Sequence, residues 1–148
     1  MATTGNTTAV PPPQVVGDFM TPMRLGLTAL FGLVGVYLRY FINVLFIQHW
    51  GLHSFWSSFT ENMIGSIVIA IVYVAGIENS LLPVDVSYAL MTGLLGGFTT
   101  FSGYALDSVK YFDNREDGMG FLSLLLPPIL GWGLTYLTLY IVRRAVAG

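Results

Sequence analysis

Four apolar runs, separated by short polar stretches, divide this chain. They fall at about 24–47, 55–76, 86–112 and 119–142. A hydrocarbon core of about 30 Å needs roughly 20 helical residues, and each run supplies them. The pattern predicts an all-α integral membrane protein with four transmembrane helices per subunit. The connectors are Gln48 to Ser54, Glu78 to Asp85 with its Pro83, and the charged turn Asp113 to Gly118. Residues 1–23 differ from the rest. They are rich in Thr, Pro, Gly and Ala, hold Asp18 as their one charged side chain, and read as a disordered tail. Residues 24–148 then form the membrane domain.

The third run is unlike the others. Gly93, Gly96 and Gly97 crowd its centre, followed by Thr99 and Thr100. Glycine is a poor helix former, and adjacent glycines invite a break, so the helix is predicted to be interrupted near Gly96 to Thr100. Backbone groups freed at membrane depth need protein or a wet cavity around them, because lipid satisfies neither N–H nor C=O. The break therefore marks a site. Phe101 and Tyr104 follow it three residues apart, on one helix face.

Polar side chains inside the runs are the next signal, since ionisable groups there usually face protein or water. The first run holds Arg39 and Asn43. Arg39 either snorkels to the near interface or puts a positive charge at the mouth of an anion path. The second run holds Glu61 and Asn62, followed by Gly65 and Ser66, which suit close packing. Glu61 reads as partly exposed at the interface, and Asn62 as an interhelical hydrogen-bonding group or a site residue. Asp107 reaches the interface or lines a vestibule. Trp50 and Trp56 look like interfacial anchors, and so do Arg143 and Arg144 at the end. Pro127-Pro128 should kink the fourth run. His49 and His53 have no third ligand beside them, so they do not define a metal site.

Composition narrows the class. Charged residues make up 9% of the chain, against about 25% in soluble domains. There is no cysteine, hence no disulfide framework. No basic stripe points to nucleic acid, and no nucleophile–base pair or cofactor motif points to an enzyme. With four spans, Arg24, Arg143 and Arg144 share one side, while Lys110 and Arg115 take the other, approached by Arg39. The positive-inside rule gives almost no orientation bias. Insertion both ways, and an antiparallel dimer in membrane lipid, follow as expectations.

Three motifs resemble those of the Fluc (CrcB) fluoride channels. They are Gly32-Leu33-Val34-Gly35-Val36-Tyr37-Leu38-Arg39-Tyr40, Asn62-Met63-Ile64-Gly65-Ser66, and Gly96-Gly97-Phe98-Thr99-Thr100-Phe101-Ser102. They come in the family's order and spacing, and the resemblance covers about 25–144. It implies a passive fluoride-selective channel of the bacterial plasma membrane that lets cytoplasmic fluoride leak outward. It further implies an antiparallel, dual-topology dimer with two pores along the subunit interface. By carry-over, Asn62 contacts the anion and Phe101 presents its ring edge. Tyr104 takes the second aromatic position, with Ser102 and Arg39 as further pore residues. A structural sodium ion at the dimer centre would be held by backbone carbonyls at Gly96 and Thr99. The physics agrees: a ring edge is the positive part of its quadrupole, and amide and hydroxyl donors replace an anion's water shell. Unwound carbonyls suit sodium.

Three positions depart from the family pattern. Tyr104 stands where a second Phe is usual, Ala105 where Ser or Thr is common, and Glu61 where an apolar residue precedes the motif Asn. They leave open a paralogous heterodimer with one degenerate pore. Two other readings use the same features. A small proton-coupled multidrug exporter would use Glu61, although such proteins carry their carboxylate in the first span. A non-conducting scaffold would use the glycines for packing alone.

Overall fold

The structure, a computed structural model, describes residues 21–148. The expected tail therefore lies outside the described residues, except at its last positions. There helix α1 (Pro22–Val44) already begins, slightly before the expected domain start. Thr21 caps it by accepting from the Arg24 N–H at 3.2 Å, and Pro22 supplies the preset φ of a first helical residue. Helix α2 spans Ser54–Val72. Both helices end in widened turns, at Leu45–His49 and Tyr73–Glu78.

The third apolar run folds in two limbs. The first comprises α3 (Val84–Tyr88), a wide-turn stretch (Ala89–Leu95) and the short α4 (Gly96–Phe98), in unbroken succession. The second limb is α5 (Phe101–Asp113). Helix α6 (Asp117–Ala147) is continuous, and Pro127 and Pro128, the expected kink site, lie inside it. Three helical stretches, Pro22–His49, Ser54–Glu78 and Asp117–Val146, are each long and apolar enough to cross a bilayer. No strand occurs among the described residues. The surface is rich in large apolar side chains, from Leu30 and Tyr37 to Trp132 and Ile141, as suits contact with lipid. This is a multi-pass, all-helical membrane protein.

The break does not fall at the glycines. Gly96 and Gly97 are helical, and the chain opens at Thr99 (φ −81°, ψ 158°) and Thr100 (φ −142°, ψ 119°). Two β-branched residues in succession favour that extended backbone. The glycines serve a different purpose, which is to let α1 lie directly on the first limb. A Cβ on Gly35 would overlap the Leu94 carbonyl. A Cβ on Gly93 would sit 2.5 Å from the Thr28 carbonyl oxygen, and one on Gly97 would sit 2.6 Å from that of Gly32. Backbone thus meets backbone along this seam, as small-residue stripes permit in membranes. On the other side, α6 packs against both α2 and α5. The two layers leave the broken backbone between α1 and α2.

Candidate functional site

The break is fixed by side chains from elsewhere in the chain. Asn62, on α2, grips the Thr100 peptide at both ends. Its Nδ2 donates to the Thr100 carbonyl at 2.9 Å, and its Oδ1 accepts from the Thr100 N–H at 2.9 Å. In an unbroken helix that N–H would reach back to the Gly96 carbonyl. The Gly103 N–H would likewise reach Thr99, but it donates instead to Thr100 Oγ1 at 3.0 Å, which caps α5. The two substitutions release the Gly96 and Thr99 carbonyl oxygens from helical bonding. Arg39, from α1, points its Nη1 at the Thr99 carbonyl oxygen, 3.4 Å away. It therefore reaches the broken backbone.

Beside the break lies an open groove of about 450 Å³. Asn62, Gly96, Thr99, Thr100, Phe101 and Tyr104 line it, together with Pro128, Trp132 and Thr135 of α6. The Phe101 and Tyr104 rings meet edge to face, with centroids 5.2 Å apart and planes at 76°. Phe101 is 77% exposed, so its ring is offered outward from the chain. An amide, two hydroxyls and the positive edges of rings are the chemistry that receives a small anion.

Of the residues singled out from sequence, Asn62, Phe101, Tyr104, Gly96 and Thr99 share this groove. Ser102 lies exposed in the first turn of α5, outside its lining, and Arg39 approaches from the α1 side. The α6 wall was missed as a unit. Its signal was the spacing of Pro128, Trp132 and Thr135, which puts them on one helix face.

Glu61 is corrected. It is not partly exposed at the interface but fully buried, facing α1. Its Oε1 accepts from Asn43 Nδ2 and from Ser57 Oγ, both at 2.9 Å, while Oε2 has no protein partner. Nor does it form an ion pair with Arg39; among the described residues the ion pairs are Arg24–Asp85 and Arg143–Glu78. Asp107 is also buried and accepts from Ser54 Oγ at 2.7 Å. No cluster of three His, Cys, Asp or Glu side chains suited to a metal ion occurs among the described residues.

The sequence is similar to those of known proteins. The family model described as "CrcB-like protein, Camphor Resistance (CrcB)" matches residues 26–139. A relative from Gloeothece citriformis, named fluoride-specific ion channel FluC, is 31% identical over 122 residues, which is 82% of this chain and 98% of its own. One of the same name from Rhizobium etli is 30% identical over 120 residues, covering 81% of this chain and 96% of its own. Another, from Allorhizobium ampelinum, reaches 41% over 88 residues, or 60% of this chain and 70% of its own. The match spans the first helix, the Asn62 clamp, the break and most of α6, and so the chain belongs to the CrcB-like family.

Proposed function

We propose that this protein is a subunit of a passive fluoride-selective channel in the bacterial cell membrane, and that fluoride passes along the groove beside the broken backbone. The observation that carries this reading is the Asn62 clamp. It holds the chain open at Thr99–Thr100 and sets an amide, a hydroxyl and the Phe101–Tyr104 ring pair around one groove. The names of the relatives support fluoride as the ion, and they are names of channels, not enzymes.

In this reading the two limbs, 84–98 and 101–113, are one crossing broken at mid-membrane, which completes four spans. A second copy, or a paralogue, lies antiparallel against the exposed face that carries Phe101 and closes the groove into a pore. Cytoplasmic fluoride leaks outward down its gradient. Ser102 and Arg39 act from the margins, Ser102 beside Phe101 and Arg39 behind the break. A structural sodium ion would draw on the Gly96 and Thr99 carbonyls, hard oxygen donors, with Arg39 Nη1 already directed at the Thr99 oxygen from 3.4 Å. Two carbonyls are too few for one cation, so the second subunit would supply the rest. The exporter reading loses support from the burial of Glu61, which is bonded to Asn43 and Ser57 and is absent from the groove lining.

The test is Phe101→Ile in the purified, intact dimer. Fluoride flux from liposomes should be abolished. Flux equal to that of the unaltered protein would remove Phe101, and with it this groove, from the path.

A further inference from the structure

Glu61 is an ionisable residue inside an apolar run, and the fold holds it closely. It is fully buried on the α1 side of α2, adjacent in sequence to Asn62. Ser57, one turn earlier, and Asn43, from α1, both donate to the same oxygen. The carboxyl group is thus fixed in place rather than free to turn toward lipid.

Asn43 links it to Arg39. The same Nδ2 that donates to Glu61 also donates to the Arg39 carbonyl at 3.0 Å. Arg39 carries its guanidinium to the Thr99 carbonyl, next to the peptide that Asn62 holds. Arg39 thus reaches the break, and Glu61 is joined to the Arg39 backbone through Asn43, outside ion-pair distance of the guanidinium. The other buried carboxylate, Asp107 of α5, is engaged by Ser54. In a medium of low dielectric, charges act on an ion over distances longer than a contact, and the sum of their fields sets how often an anion enters.

We propose that Glu61 is a throughput-determining residue of the pore: its fixed carboxylate offsets the charge of Arg39 and lowers the occupancy of fluoride at the break. The inference rests on the channel reading above. It assigns Glu61 no contact with fluoride and no exchange of protons.

Glu61→Gln tests it. Glutamine keeps the shape and the Oε1 acceptor, and it removes the charge. Fluoride efflux from liposomes, at mildly alkaline pH and low ionic strength, should rise by about threefold or more, since one opposing charge has been removed near the path. The ratio of variant to unaltered protein should shrink toward one at high salt, because screening weakens the field. A purely structural role for Glu61 would lower flux at every salt concentration. Equal flux at low salt, or a fall in flux with the dimer intact, would overturn the proposal. Glu61→Leu, which removes the charge by an apolar side chain, is the second variant and should behave the same way. If the unaltered protein passes no fluoride even with a co-expressed paralogue, the channel reading has failed, and that outcome is separate from a failure of this one.

Discussion

Replacing Asn62 with alanine strips the break of its clamp. The side chain makes two hydrogen bonds of 2.9 Å, one to each end of the Thr100 peptide. Removing it leaves an N–H and a C=O without their partner in a partly buried place. Each such orphan costs roughly 1–3 kcal/mol. The groove is open, so water recovers part of the loss, and the expected destabilisation is about 2–4 kcal/mol. The alternative for the Thr100 N–H is a return to the Gly96 carbonyl, which would straighten the helix and erase the released carbonyls. Stability is read from denaturant titration of the tryptophan fluorescence in mixed micelles, and the pore from fluoride efflux of the same variant in liposomes. Both should fall. A stability change under about 0.5 kcal/mol, the size of an ordinary surface substitution, would refute the clamp as the cause of the break. Asn62→Asp refines the test: it keeps an acceptor for the Thr100 N–H but sets an oxygen against the Thr100 carbonyl. It should therefore be at least as damaging as alanine.

Three further outcomes follow from the same geometry. Gly35→Ala should prevent a stable fold or cost more than about 3 kcal/mol, as overpacking against backbone does, whereas Gly26→Ala, with nothing within 4 Å of the added carbon, should be neutral or slightly stabilising; expression and thermal melting compare them. Thr100→Val should cost about 1 kcal/mol through loss of the α5 cap, and Thr100→Ser should recover most of it, read by the same denaturant titration. Asp107→Asn should weaken the contact of Ser54 with α5, seen as faster amide exchange in the first turn of α2 while fluoride flux stays within about twofold.

The helical class and the family were legible from short-range features: four apolar runs and three local motifs. What escaped was decided between segments. Gly96 and Gly97 looked like the cause of the break because propensity is a local property. Their lack of side chains instead serves the seam with α1. The break sits at Thr99–Thr100 because Asn62, 38 residues away, supplies the hydrogen bonds that the helix gives up. Glu61 shows the same limit. Ser57 one turn before it was visible in the sequence, but Asn43 belongs to another helix, so burial could not be read from periodicity. The α6 wall of the groove was hidden for a different reason. Pro128, Trp132 and Thr135 differ in chemistry, and only their common face unites them. That Phe101 and Tyr104 lie on one face followed from their spacing, and their rings do meet.

The most direct measurement is fluoride efflux from liposomes that hold this purified chain alone, with chloride as the control. Rapid efflux of fluoride and not chloride is the expected result, and it would mean that Tyr104 and Glu61 are compatible with conduction. Equal passage of both ions, or no efflux from folded protein even with a co-expressed paralogue, would contradict the assignment of a fluoride-selective channel.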